Sequence, residues 1–381
     1  MIDKILFKGY KSFKELTELE LKPITVIFGK NSSGKSAIVK LPTLIEGSLS
    51  GEFDEPLMYI NNEVELGADY RDLFYNRGIQ EQLYLGLRDG SNELEIEITN
   101  SPDKPIITEW RNYDLARPET GKKIISTEDI EKSKTNLFSG FLPKDKLIEL
   151  KEIFSLKIDY IGPFRLYPPR VFHLSGKTNF KRIGNKGENA YQILVNNEIL
   201  ASEVSNWFKE NFDGWELFVN KVEPYYEIKI KRSNSQNEGV NIVDVGQGMS
   251  QALPIIVKAH MKNTSETLTI LEQPELHLHP GAHANLAELL FNSTQNSGNK
   301  YLVETHSKNF ILRLRTLVAD KKIKKENINL YYVYFDENED SSYLKKIELN
   351  DLGEVDFWPE NVFDESFDEV KALLRAQNNA K

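Results

Sequence analysis

Hydrophobic positions repeat along the chain with two different periods. Ile24-Thr-Val-Ile-Phe28 is an unbroken run of mostly β-branched or aromatic residues, the pattern of a strand covered on both faces. Residues 2–8 and 14–21 read as two shorter strands before it, joined by the turn Gly9-Tyr10-Lys11-Ser12-Phe13. Leu83, Leu85 and Leu87 alternate with polar residues, Asp89-Gly90 supplies a turn, and Leu94, Ile96 and Ile98 alternate again, which predicts a hairpin. Residues 100–127 carry Pro102, Pro105 and Pro118 and read as loop, whereas 128–154 turn helical with a break at Pro143. Residues 156–161 form another apolar strand. Helical periods follow near 188–195 and 201–212, and strands near 216–222, 225–231 and 240–245. No heptad repeat of any length appears, so a long coiled coil is not expected.

The chemistry begins where the run at 24–28 stops. Gly29-Lys30-Asn31-Ser32-Ser33-Gly34-Lys35-Ser36-Ala37 is a GxxxxGK[ST] loop between a strand and a helix that opens at Lys35. Gly29 and Gly34 let successive amides point inward, the helix N-terminus adds partial positive charge, and Lys35 places an ammonium on outer phosphates. The Ser36 hydroxyl is suited to Mg²⁺, so the stretch predicts a nucleoside triphosphate site, ATP with Mg²⁺. Pro42, which lacks an amide donor, is expected to limit the helix.

A second strand-loop-helix stretch is Val245-Gly246-Gln247-Gly248-Met249-Ser250, with the helix expected to open at Ser250 and run towards His260. Such a start presents amides and a hydroxyl to an anion, although GxGxS alone is weak evidence. Downstream, Thr267–Leu271 is a strand ending in Glu272, followed by Gln273-Pro274-Glu275. An acid at a strand end is the Walker B arrangement, in which the first carboxylate belongs to the Mg²⁺ shell. A further strand ends at Thr305-His306, where the histidine is placed to sense an outer phosphate. His277, His279 and His283 are open to a zinc reading: two residues apart, His277 and His279 fall on different faces of a helix, which opposes it, whereas His279 and His283 at i, i+4 can share a face.

Composition narrows the partners. With no cysteine, disulfides, thiolate metal sites and cysteine nucleophiles are excluded. A net charge of −10 excludes a surface that is basic all round, so contact with nucleic acid needs a local patch, for which Lys177, Lys181, Arg182 and Lys186 are the best stretch. Arg165 and Arg170, beside prolines, suit either an anionic ligand or a structural ion pair. No apolar run reaches membrane-spanning length and the N-terminus lacks the order of a signal peptide, so a cytoplasmic address and no membrane partner are expected.

The loop at 29–36, the glycine-rich helix start at 246–250, LEQPELHLHP at 271–280 and the strand-histidine at 306, in that order, resemble the ABC-type ATPase heads of the SMC, RecF and OLD group. The similarity is greatest to small stand-alone prokaryotic ATPases related to OLD and RecF, and it includes IGPFRLYPPR at 161–170. The resemblance implies an α/β fold: a P-loop core sheet plus an antiparallel β lobe, with an inserted α+β region and a small C-terminal extension. Its expected divisions are 1–46, first ATPase lobe; 47–155, hairpin and helical insertion; 156–335, second lobe; and 336–381, extension.

The same resemblance implies a head-to-tail homodimer, or a higher homo-oligomer, with each ATP between one copy's P-loop and Gly246, Gln247, Gly248 and Ser250 of the other. Where such heads carry a catalytic glutamate this chain has Gln273, which orients water without accepting its proton, so slow hydrolysis is expected. Glu275 is then either a substitute base or part of the dimer contact. The Q-loop glutamine is unassigned, with Gln80 and Gln82 as guesses. About 75 residues follow His306, short for an ordinary nuclease domain, so no intrinsic nuclease is expected. The implied role is control of a separate effector, with a nuclease among the candidates, in anti-phage defence; the alternative is a RecF-like ATPase that binds DNA structures.

Overall fold

The computed structural model describes residues 1–115, 122–132, 137–222, 224–263, 265–359, 362–363 and the single positions 371, 373 and 377. Strands β1 (Lys4–Lys8), β2 (Thr17–Glu20) and β3 (Ile24–Gly29) lead into helix α1 (Lys35–Ser48). A small hairpin of β4 (Ile60–Asn61) and β5 (Val64–Glu65) precedes β6 (Gln82–Asp89), β7 (Asn92–Asn100), β8 (Pro105–Asp114) and β9 (Lys122–Ile125). Helix α2 (Thr127–Lys132), the hairpin of β10 (Phe138–Ser139) and β11 (Leu142–Pro143), and α3 (Leu147–Ile153) complete this half.

Because β6 pairs with β1, strands from both sides of α1 join one antiparallel sheet in the order β2-β1-β6-β7-β8-β9. The hairpin expected at 83–98 is its centre. The loop expected over 100–127 is instead largely β8 and β9. Pro105 stands at the first residue of β8, where a missing amide costs the ladder little, and Ile107 and Trp110 bury the strand's inner face. Pro118 lies outside the described residues. Pro42 does not limit α1 either: ten of the helix's fourteen residues are buried, so packing outweighs one lost hydrogen bond.

The second half runs β12 (Ile158–Ile161), α4 (Ala190–Asn196), α5 (Glu198–Asn211), β13 (Trp215–Val222), β14 (Tyr225–Arg232), β15 (Val240–Asn241), α6 (Gln247–His260), β16 (Thr267–Glu272), α7 (Pro280–Asn296), β17 (Asn299–Glu304), α8 (Lys308–Ala319), β18 (Ile328–Asp336) and β19 (Ser341–Ile347). The core sheet has the order β12-β16-β17-β3-β18-β19, parallel throughout except for β19.

Both faces of that sheet are covered, which explains the unbroken apolar run of β3. Ile24, Val26 and Phe28 enter one core with residues of α4 to α8. Ile27 enters a second core with α1 and the antiparallel sheet, through Ile38, Leu41, Leu85, Ile96 and Trp110. The strand expected to reach Val245 ends at Asn241, whose side chain accepts from the Val243 amide and donates to the Arg170 carbonyl, turning the chain away. Among the described residues the longest helix is α7, at 17 residues, and no helix is long and apolar enough to cross a membrane. The terminal helix expected over 363–377 lies almost wholly outside the described residues.

Candidate functional site

The loop after β3 lies at the carboxyl end of the parallel strands, where α/β folds place their ligands. Gly34, the residue before α1, has φ 100°, and a Cβ there would come within 2.9 Å of Ser342 Oγ and 3.0 Å of Phe13 Cε2. Lys35 is 4% exposed and folds back so that Nζ donates to the Lys30 carbonyl at 2.6 Å. Burial lowers its pKa, with the Glu304 charge opposing. The Ser33 hydroxyl is buried without a hydrogen-bond partner. No side chain caps the N-terminus of α1 and no acidic residue occupies its first turn. Lys30, Asn31, Ser32 and Ser36 are exposed and Ala37 half-buried. An orphaned hydroxyl, an uncapped helix start and an inward lysine fit a phosphate chain.

Two carboxylates close the other side. Glu272 and Glu304 end the neighbouring parallel strands β16 and β17 and are register partners, so their side chains leave the same face of the sheet. Glu304 Oε2 accepts from the Ser36 hydroxyl at 3.0 Å, and Glu272 Oε1 accepts from the Tyr160 hydroxyl at 2.6 Å. Burial raises the pKa of Glu272, opposed by Tyr160. Burial, reinforced by the Glu272 charge, pushes Glu304 up to about 7. Desolvated oxygen ligands that repel one another beside a serine hydroxyl have the chemistry of a hard divalent cation site.

Beyond Glu272 the chain is tightly held. Gln273 takes a left-handed conformation, φ 45°, with its amide donating to the Glu304 carbonyl at 2.8 Å. The buried Arg165 guanidinium donates to the carbonyls of Glu272 and Gln273 at 3.2 and 3.0 Å and reaches the Gln251 carbonyl on α6 at 3.5 Å. Arg165 thus binds backbone, while Arg170 forms the ion pair, with Asp244. Glu275 is buried, and its Oε1 accepts from the His306 amide at 2.7 Å. It anchors the His306 loop within the protomer, a role neither sequence alternative included. The His306 ring is exposed; partial desolvation, reinforced by the Lys35 charge, pulls its pKa below the ordinary histidine value. Both ring nitrogens of His283 face protein partners, Ser307 Oγ and the Leu278 carbonyl, which leaves it unsuited to zinc.

The second glycine loop needs correction at one residue. Helix α6 opens at Gln247, not Ser250, and Ser250 is 1% exposed with its hydroxyl donating to the Gln247 carbonyl at 3.1 Å. The hydroxyl is turned onto its own helix. Gly246 and Gln247 are exposed, and no side chain caps this helix start. Gly248 packs so closely that a Cβ would come within 2.7 Å of the His277 carbonyl, which ties α6 to the segment after Gln273. Gln82 is an exposed ladder residue opposite Thr99, and Gln80 precedes it in the same lobe. Glu304 and Tyr160 were missed by the sequence reading, and Arg165, singled out there for an anion or an ion pair, binds backbone carbonyls instead. Glu304 carried a usable signal, since β17, like β16, is an apolar strand ending in an acid.

A P-loop facing an acidic strand end across a parallel sheet, with an antiparallel lobe on α1, defines an ABC-type ATPase head. The chain is similar in structure to an SMC head bound to the C-winged helix domain of ScpA, at 12% identity, with 91% of this chain and 98% of that one covered and a TM-score of 0.50. It also matches the SMC head domain from Thermotoga maritima, at 13% identity, 91% and 99% coverage and a TM-score of 0.46. A third match is an Smc head domain with an extended coiled coil bound to the C-terminal domain of ScpA derived from Pyrococcus furiosus, at 12% identity, 91% and 96% coverage and a TM-score of 0.49. The family described as "AAA domain, putative AbiEii toxin, Type IV TA system" matches residues 24–313, well over half the chain, and the protein belongs to it. Residues 323–373 match a family described as a protein of unknown function, DUF3696. No curated protein matches.

Proposed function

We propose that this protein is a slow ATPase that closes into a head-to-tail dimer around ATP and Mg²⁺ and thereby controls a separate effector in prokaryotic anti-phage defence. The observation that carries the reading is the P-loop cradle, with buried Lys35 and the orphaned Ser33 hydroxyl on one side and the acidic pair at Ser36 on the other. Lys35 would hold outer phosphates, and Ser36 and Glu272 the cation, which when bound neutralises charge on the phosphates. The exposed, uncapped start of α6 at Gly246 and Gln247 is the second anion-binding face and supports a site shared between copies. Gln273 supports slow turnover, because its amide accepts no proton. The family's toxin–antitoxin description supports a defence setting. The effector outside this chain, a nuclease being one candidate, and the cytoplasmic address rest on the sequence resemblance and the lack of a membrane-length apolar run.

One test combines light scattering with phosphate release. Wild type is expected to double in mass with ATP and Mg²⁺ and Lys35→Ala to stay monomeric, while Gln273→Glu releases phosphate about tenfold faster or more, within the range of a gained general base. Identical behaviour of wild type and Lys35→Ala would sink the reading. A second reading, a RecF-like binder of DNA structures, is favoured by Lys177, Lys181 and Arg182 lining one groove of about 520 Å³, with Lys157 and Lys262 on the cavity beside it. It predicts salt-sensitive, ATP-dependent DNA affinity that is lost when Lys181 and Arg182 become Glu.

A further inference from the structure

We infer that Glu304 is a second carboxylate of the divalent-cation site, the one that seats Ser36 against the metal. The inference rests on the ATPase reading, which gives the cation to Ser36 and Glu272, and deepens it by assigning Glu304 its own part in that site. Strand β17 lies between β16 and β3, so Glu304 stands one strand nearer the P-loop than Glu272. The Ser36 hydroxyl donates to Glu304, while Glu272 is engaged by Tyr160. A serine oxygen that gives a lone pair to a cation still carries a proton, and that proton needs an acceptor on the side away from the metal. Glu304 Oε2 is such an acceptor, at 3.0 Å.

Burial leads to the same assignment. Glu304 is 3% exposed and Glu272 6% exposed, side by side on adjacent strands. Among the described residues neither carboxylate has an ion-pair partner: the Lys40 charge acts on both acids and that of Lys35 on Glu304 only from beyond ion-pair distance, and Lys35 donates to the Lys30 carbonyl. Buried carboxylates are retained when a positive charge offsets their desolvation. A hard divalent cation with oxygen ligands, Mg²⁺ or Mn²⁺, supplies that charge for both acids at once. The pair also repels a bare triphosphate, so nucleotide affinity should depend steeply on the cation.

The test uses the full chain and Mn²⁺ as the probe. Mn²⁺ is titrated into protein saturated with a non-hydrolysable ATP analogue and followed by electron paramagnetic resonance, and analogue binding is measured separately in EDTA. Glu304→Gln keeps the size and a hydrogen bond to Ser36 while removing the charge. It is expected to weaken Mn²⁺ binding about tenfold or more, in the range for groups that orient metal ligands. In EDTA it should bind the analogue as tightly as wild type or tighter, a gain that general loss of structure would not produce. Glu304→Asp, which keeps the charge, should restore part of the Mn²⁺ affinity. Mn²⁺ affinity of Glu304→Gln within twofold of wild type overturns the inference alone. Wild type that binds no nucleotide overturns the ATPase reading and this inference with it.

Discussion

Lys258 and Asp159 are both fully buried and lie 3.0 Å apart, the ammonium on α6 and the carboxylate on β12. Asp159 also accepts from the Ile183 amide, at 3.1 and 2.9 Å, so one side chain joins the glycine-loop helix, the edge of the core sheet and the segment before α4. Removing the lysine strands a charge, whereas replacing both partners removes the demand for pairing. Lys258→Met should therefore cost about 3–5 kcal/mol in denaturant unfolding, and Asp159→Asn with Lys258→Met distinctly less. Equal losses would show that packing rather than charge holds this junction. Nothing in the sequence pairs Lys258 with a partner about 100 positions earlier, because the contact exists only once α6 crosses β12. The same limit hid the partners of Arg165, which are backbone carbonyls and leave no side-chain pattern. Lys35, Ser36 and Glu272 were legible because their spacing is local and their elements are short and apolar.

At the scale of elements, the two sheets meet at Glu20. Its carboxylate, at the end of β2, takes Lys22 at 2.6 Å, and also Lys346 of β19 and the Asn329 amide of β18 at 3.2 and 3.3 Å. Burial alone would raise its pKa, but the two ammoniums and the amide overcome that and hold it down to about 2. A carboxylate depressed in the folded state stabilises the fold above its unfolded pKa, near 4.3, and loses that contribution as pH falls towards about 2. The site is partly exposed, so solvent screening keeps the effect at about 1 kcal/mol or less. Glu20→Gln should lower the unfolding midpoint at pH 7, and the difference should shrink as pH falls and vanish only below about pH 2. Element types were legible where periodicity was strong, as in β3 and the hairpin of β6 and β7. They were lost where tertiary packing overrode a local signal, as at Pro42, or where a side chain redirected the backbone, as at Asn241.

Across the whole molecule, Arg165 and Gly248 bind α6 to the segment after Glu272, so the helix start proposed as a second anion-binding face is fixed relative to the acidic pair within each copy. A nucleotide held by one P-loop and one α6 start from different copies would thus join two rigid half-sites, which is how a small ligand can select one dimer geometry. With Ser250 buried, the proposed contact across copies would fall to Gly246 and Gln247. The chain contains no cysteine, so introduced thiols report without background. A variant carrying Asn31→Cys and Gln247→Cys should be joined by a short bis-maleimide only when ATP and Mg²⁺ are present, and adding Lys35→Ala should abolish the product. Either cysteine alone should give no product, because in a head-to-tail dimer each P-loop faces the other copy's α6 and not its P-loop. Cross-linking of the double variant that is independent of nucleotide, or product from Asn31→Cys alone, would mean that the copies meet through another face.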